Sequence, residues 1–126
     1  MARKAHIKIK RVYDEPAASD GRRVLVDRIW PRGLRKEQAA LDDWLKDIAP
    51  SAELRKRFGH SVDRWEEFRE RYEAELERNR AALEPLVELC RRGDVTLLFA
   101  ARDEEHNNAV VLRDVLAARL KARDGR

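Results

Sequence analysis

The apolar residues of this chain follow two different spacings, and each spacing predicts one kind of secondary structure. Residues 6–13 alternate polar and apolar side chains, which predicts a half-exposed strand. Residues 23–28 contain the unbroken apolar run Val24-Leu25-Val26, which predicts a strand covered on both faces. Residues 95–101 form a longer run of the same kind, so they are predicted to be the most clearly buried strand.

Apolar residues three or four positions apart predict helices. Such a row predicts one long amphipathic helix on the residues Val62, Trp65, Phe68, Tyr72 and Leu76. Ser61 is placed to cap it, and Pro85 is expected to break or restart it near residues 82–84. A second helix is then predicted over residues 86–92, ending at Gly93.

Two more helices are predicted from their capping residues. Ser51 is a good N-cap for a short helix over residues 52–58. The last helix is predicted from about residue 109 to residue 122, with Asn107 or Asn108 as its cap.

Strands separated by helices predict an α/β fold. We expect a single compact domain over residues 1–126, with a small mixed or parallel sheet of about three to four strands flanked by helices. Residues 34–51 are compatible with a further short strand or with an irregular connection. Residues 1–5 and 122–126 are expected to be frayed.

The charge distribution adds a candidate partner to this picture. Hydrophobic residues make up 43% of the chain and charged residues 41%, with a net charge of +4. Residues 1–40 hold 11 basic and 5 acidic residues, against 17 and 19 in the remainder. Such a basic region is typical of a surface that attracts nucleic acid or phosphorylated metabolites, and equally of a solvated face that only confers solubility.

Several classes of site are disfavoured by the residues present. Cys90 is the single cysteine, so an intramolecular disulfide and a cysteine metal cluster are excluded. The histidines His6, His60 and His106 lie in different segments, and we expect no metal site and no cofactor. No apolar run reaches the ~20 residues of a membrane span, and the N-terminal residues lack a signal-peptide core, so we expect a cytoplasmic protein.

The candidate chemistry lies where the two buried strands end. Residues 27–33 read Asp-Arg-Ile-Trp-Pro-Arg-Gly, and residues 102–108 read Arg-Asp-Glu-Glu-His-Asn-Asn. Parallel strands would bring both loops to one edge of the sheet, where α/β proteins bind ligands. Arginines and a helix N-terminus favour a phosphate or carboxylate there. The proposed ligand-binding residues are Arg28, Trp30, Arg32, Asp103 and Asn107.

Each of these residues also has a purely structural interpretation. Arg28 is placed to pair with a neighbouring charge, and Trp30 to cover the core. Asp103 is suited to a turn, Asn107 to a helix cap, and His60 to an exposed turn. In a catalytic version of the site, Asp103 or His60 would serve as the general base, and the arginines would stabilise developing charge on a phosphoryl or acyl group.

The chain resembles the YeaO-like branch of the family called domain of unknown function 488. The resemblance rests mainly on residues 10–14 (Lys-Arg-Val-Tyr-Asp), 24–33 (Val-Leu-Val-Asp-Arg-Ile-Trp-Pro-Arg-Gly), 49–51 (Ala-Pro-Ser), 58–60 (Phe-Gly-His) and 96–103 (Thr-Leu-Leu-Phe-Ala-Ala-Arg-Asp). It implies a compact bacterial-type cytoplasmic α/β domain and no established activity. Relatives in the wider family have a Cys-His-Arg signature after the last strand. This chain instead reads His106-Asn107-Asn108, which argues against thiol chemistry here.

Two functional hypotheses follow. The first is an anion-binding pocket at the strand ends, with a catalytic version in which the protein is an enzyme acting on a small phosphorylated or nucleotide-like substrate. The second is a nucleic-acid-binding or regulatory module that uses basic residues of the N-terminal third, namely Lys8, Lys10, Arg11, Arg22, Arg23 and Arg35. We expect no membrane partner, and the sequence leaves the oligomeric state open.

Overall fold

The sheet consists of four strands, all parallel, in the order β1-β4-β2-β3. A computed structural model describes residues 7–124, with side chains up to residue 122. The strands are β1 (Ile7–Arg11), β2 (Arg22–Leu25), β3 (Asp43–Trp44) and β4 (Val95–Phe99). The α-helices of the described residues are α1 (Lys36–Ala39), α2 (Ala52–Phe58), α3 (Trp65–Arg78), α4 (Arg80–Arg92) and α5 (Asn108–Asp124). The predicted α/β class is confirmed, and the sheet is parallel rather than mixed.

Strand β4 is the centre of the sheet because it pairs on both sides. Its Leu97 stands opposite Ile9 of β1 and Val24 of β2 in the Cα register. All five residues of β4 are buried, as the unbroken apolar run predicts. The ends of β2 and β4 therefore lie side by side, at the same edge of the sheet.

Alternate residues of the strands supply two separate cores. Val24 of β2 and Leu97 of β4 belong to the larger core, which includes buried residues of α2, α3, α4 and α5. Leu25 and Leu98 belong to a smaller core, covered by Ala39 of α1 and the residues around it. This division explains why neither strand shows polar alternation: both faces of the sheet centre are covered.

Helix α2 follows its sequence signals closely. The Ser51 hydroxyl accepts a hydrogen bond from the Leu54 amide at 3.2 Å, which is the predicted N-cap. Gly59 ends the helix in the left-handed region, at φ 53°, and its amide donates to the Arg55 carbonyl. These two residues therefore determine where α2 begins and ends.

The predicted break at Pro85 is wrong. Helices α3 and α4 separate at Asn79, whose amide donates to the Leu76 carbonyl, while Pro85 lies inside α4. Proline has no amide to bond to the carbonyl four residues earlier, that of Ala81. Pro85 and Ala81 are both exposed, so water can satisfy that carbonyl.

Three smaller differences concern the ends of elements. Residues 34–51 contain both predicted alternatives, because the short strand β3 follows an irregular stretch with α1 inside it. Ser61 precedes a short 3₁₀ turn, Val62–Arg64, without a side-chain cap hydrogen bond. Helix α5 continues to Asp124, beyond the predicted end at residue 122. Fraying is predicted for residues 1–5 and 122–126: residues 122–124 instead continue α5, and the others lie outside the described residues.

Candidate functional site

The loops that follow β2 and β4 meet across a cleft of about 990 Å³, and α2 with the turn after it forms another side. Because β2 and β4 are adjacent and parallel, their carboxyl ends open into the same space. Every predicted site residue lines this cleft: Arg28, Trp30, Arg32, His60, Asp103 and Asn107. The structure thus brings the two distant loops together.

Trp30 forms a fixed side of the cleft. Its indole nitrogen donates to the Leu34 carbonyl at 2.7 Å, and its ring packs edge-on against Trp44 at 5.3 Å between centroids. The ring is half-buried, and it also packs against the smaller core. Both predicted roles of Trp30, cover for the core and side of a pocket, are therefore present.

The two arginines of the loop after β2 line the cleft, and their side chains make few contacts with other described residues. Arg28 and Arg32 are exposed. The Arg28 guanidinium donates a weak hydrogen bond of 3.5 Å to the Ala49 carbonyl. The Arg32 backbone is fixed by the Tyr13 hydroxyl, which donates to its carbonyl at 2.8 Å. The predicted pairing of Arg28 with a neighbouring charge is not found among the ion pairs of the described residues.

Asp103 is held as a turn residue. Its Oδ1 accepts hydrogen bonds from the amides of Glu105 and His106, both at 2.9 Å, and its Oδ2 lies 3.0 Å from Nδ1 of His106. The backbone amides and the His106 ring together keep the pKa of Asp103 below its usual value. A carboxylate stabilised in its charged form is a weak proton acceptor, so this geometry disfavours Asp103 as a general base.

Asn107 is a helix cap. Its Oδ1 accepts from the Val110 amide at 3.1 Å, and its Nδ2 donates to the Asp103 carbonyl at 2.9 Å. The residue is 2% exposed. Both polar atoms of its amide group are thus engaged at the start of α5.

His60 lies on the rim of the cleft. It is exposed, directly after the Gly59 cap, and has a φ of 58°, which is uncommon for a residue with a side chain. Its ring is 5.8 Å from the ring of Phe58. The position agrees with the interpretation as an exposed turn, and it also leaves the imidazole accessible from the cleft.

Asp27 lies in the predicted loop 27–33 and lines the cleft, although it is not among the proposed ligand-binding residues. Its Oδ2 accepts from the Ala100 amide at 2.9 Å, and its Oδ1 accepts from Nδ2 of Asn108 at 3.0 Å. Burial raises the pKa of Asp27, and this outweighs the opposite effect of those two hydrogen bonds and of the nearby charges of Arg55 and His60. The available signal was its place: an acid directly after the apolar run of a buried strand.

Further basic side chains of the cleft come from α2, which the sequence did not assign to the site, and from the predicted loop after β4. Arg55 and Lys56 lie on α2, and Arg102 follows β4. The Nε of Arg55 is buried and has no hydrogen-bond partner among the described residues. With Arg28 and Arg32, five basic residues line the cleft, against the two acids Asp27 and Asp103.

The basic residues of the N-terminal third do not form one free surface. Arg23 is only 5% exposed and is paired with Asp20 at 2.5 Å, inside the protein. Lys10 also bonds to Asp20, and Arg22 pairs with Asp43. The hypothesis of a nucleic-acid surface built on this set is therefore wrong for Arg23 and weakened for the partly neutralised lysine and arginine.

Other chemistry finds little support in the part of the chain that is described. No cluster of three potential metal ligands occurs within residues 7–124. Cys90 is buried, and burial raises the pKa of its thiol to about 11, which is typical of an unreactive packing residue. Over the same residues, no helix is both long and apolar enough to cross a membrane.

The fold and the cleft define a class: a single α/β domain with a cleft, lined in part by basic side chains, at the carboxyl ends of its parallel strands. The family described as "Inactive DUF488-N3 subclade" matches residues 6–126, and the chain belongs to this family.

Named relatives agree with the YeaO-like resemblance. "Uncharacterized protein YeaO" of Escherichia coli (strain K12) is 46% identical over 111 residues, covering 88% of this chain and 96% of the relative. "Uncharacterized protein Rv3073c" of Mycobacterium tuberculosis (strain ATCC 25618 / H37Rv) is 43% identical over 119 residues, covering 94% and 100%. No solved structure matches the chain.

Proposed function

We propose that the cleft binds a small anionic molecule, through a phosphate or carboxylate group gripped by Arg28 and Arg32. The observation that carries this proposal is the excess of basic side chains, five against two acids, in one cleft at the strand ends. Such an excess attracts anions and raises their local concentration.

The state of the basic side chains supports binding. Arg32, Lys56 and Arg102 are exposed and make no side-chain hydrogen bond or ion pair with another residue in the range 7–124. A free guanidinium offers a planar pair of donors that matches the geometry of phosphate or carboxylate. The two acids oppose this less than their number suggests, because Asp103 is bound to His106 and to backbone amides.

Binding is favoured over catalysis. The side chains that line the cleft include no cysteine, serine or threonine among the described residues, so the thiol and aliphatic hydroxyl nucleophiles are not among them. Asp103, a candidate base, has a pKa held below its usual value. The word "Inactive" in the family's description agrees with a protein that binds its ligand without converting it.

Inorganic phosphate is a direct probe for this proposal. We expect saturable binding by isothermal titration calorimetry, with NMR shift changes centred on the amides of Arg32 and Arg102. Arg28→Ala and Arg32→Ala should each weaken binding by about tenfold or more, since each removes a charged contact. Their melting temperatures should stay close to that of the unchanged protein, because both side chains are exposed.

The matched control is Arg78→Ala, at the exposed end of α3 and outside the cleft. It changes the net charge equally and should leave phosphate binding intact. Equal losses in the control and in the cleft variants would mean general charge attraction and would contradict a site. A dissociation constant weaker than ~10 mM for the unchanged protein would also overturn the proposal.

A further inference from the structure

The carboxylate of Asp27 lies among the basic residues that make the cleft attractive to anions. It lines the cleft and is partly exposed there, at the end of the buried strand β2. A negative charge in such a place opposes anion binding, so a purely anion-binding site gains nothing from it. If the carboxylate contacts a ligand, it must therefore contact a part other than the anionic group.

Asp27 retains hydrogen-bonding capacity. An ionised carboxylate offers about four acceptor positions. Within the described residues two are occupied, by the Ala100 amide and by the Asn108 amide group. No cation of the described residues forms a direct ion pair with it; Arg55 and His60 act on it only through their charge. A further donor would stabilise this largely desolvated group.

The surroundings restrict the kind of donor. Five basic side chains line the same cleft, and they would repel a ligand ammonium group. A neutral donor avoids that repulsion, and a hydroxyl group is the simplest one. The volume of about 990 Å³ also leaves room for an organic part beyond the anionic group.

We propose that Asp27 is a specificity-determining residue of the cleft, accepting a hydrogen bond from a hydroxyl group of the ligand while the arginines hold its phosphate. The ligand class is then a hydroxyl-bearing phosphate ester. This inference rests on the proposed function and specifies the class of its ligand. Inorganic phosphate would occupy the position beside the arginines and would lack the organic hydroxyl group proposed to contact Asp27.

The test compares three probes on the unchanged protein by calorimetry: inorganic phosphate, methyl phosphate and ribose 5-phosphate. Ribose 5-phosphate should bind about tenfold more tightly than methyl phosphate, because only its hydroxyl groups can reach Asp27. The Ala100 amide donates to Asp27, so it reports on that carboxylate in NMR spectra. Its signal should shift with ribose 5-phosphate and not with methyl phosphate.

Variants then assign the preference to one residue. Asp27→Asn should reduce the preference for ribose 5-phosphate to less than about threefold. Glu53→Gln is the matched control, because it removes the same charge from an exposed site on α2 outside the cleft. It should keep the full preference. If Asp27→Asn does not fold, two measurements on the unchanged protein test the role of Asp27. They are its preference for ribose 5-phosphate over methyl phosphate and the shift of the Ala100 amide signal.

The outcomes separate the two proposals. If no phosphate compound binds, the proposed function itself fails. If all three probes bind equally, anion binding stands and the role of Asp27 is overturned. A preference that survives in a folded Asp27→Asn protein overturns that role as well, since the hydroxyl groups then contact another residue.

Discussion

Asp27 accepts hydrogen bonds from three separate segments of the chain. Its carboxylate accepts from Ala100, directly after β4, and from Asn108, at the start of α5. Its backbone carbonyl accepts from the indole nitrogen of Trp44 in β3 at 2.7 Å. One residue therefore fixes the relative position of the two loops that bound the cleft, independently of any ligand.

We expect Asp27→Asn to lower the free energy of unfolding by about 1–3 kcal/mol at neutral pH. The amide nitrogen introduced would face either the Ala100 amide or the Asn108 amide group, both donors, so one of them loses its acceptor. Urea unfolding followed by circular dichroism measures this. Glu53→Gln, an exposed change of equal charge, should stay within about 0.5 kcal/mol.

We expect the difference in stability between the unchanged protein and Asp27→Asn to depend on pH. Burial raises the pKa of Asp27 in the folded protein above its usual value of 3.8, so the folded state holds the proton more tightly than the unfolded state. The stability that Asp27 contributes is then fully present at a pH below 3.8, its usual pKa. That contribution is lost as the pH rises through the raised pKa of the folded protein. The stability advantage of the unchanged protein over Asp27→Asn should shrink over that range. A difference that grows with pH would contradict the raised pKa.

At the scale of elements, local signals predicted what local contacts decide. Ser51 and Gly59 bound α2 as their residue types favour, since a cap needs only residues within one turn. Pro85 misled because its effect depends on exposure of the carbonyl it leaves free, which the sequence does not show. The break instead falls at Asn79, whose side chain donates to the Asp47 carbonyl, a contact far along the chain.

Ser51→Ala should cost about 1–2 kcal/mol of unfolding free energy. The Ser51 hydroxyl caps α2 and also donates to Glu75 of α3 at 2.6 Å, so two hydrogen bonds are lost. Ser61→Ala is a fitting comparison, because Ser61 also precedes a helical turn but makes no cap bond. That change should stay within about 0.5 kcal/mol by chemical denaturation. Equal costs would show that the Ser51 contacts contribute nothing.

At the scale of the molecule, topology was the most useful prediction. Two buried strands with helices between them indicated adjacent parallel strands, and that placed the loops around Trp30 and Asp103 on one cleft. The roles of single residues needed the folded chain. Asp27 becomes important through Ala100 and Asn108, more than 70 positions away, and no local pattern encodes those contacts.

The distribution of charge over the whole surface predicts weak attraction for nucleic acid. Asp20 binds both Lys10 and Arg23, and Asp43 binds Arg22, so three of the six basic residues proposed for a nucleic-acid surface are paired with carboxylates. We expect fluorescence anisotropy with labelled DNA and RNA to give dissociation constants weaker than ~10⁻⁴ M even at low salt. Tight binding that falls steeply with added salt would revive the nucleic-acid hypothesis, with the exposed Lys8 and Arg35 as first candidates.

The sides of the cleft are formed by segments that connect the strands. The sheet determines only the positions at which those segments start. Insertions after β2 or after β4 would alter the opening without changing the pairing of Leu97 with Ile9 and Val24. Natural selection can therefore reshape the preferred molecule one connection at a time, while the scaffold that makes the protein fold is inherited unchanged.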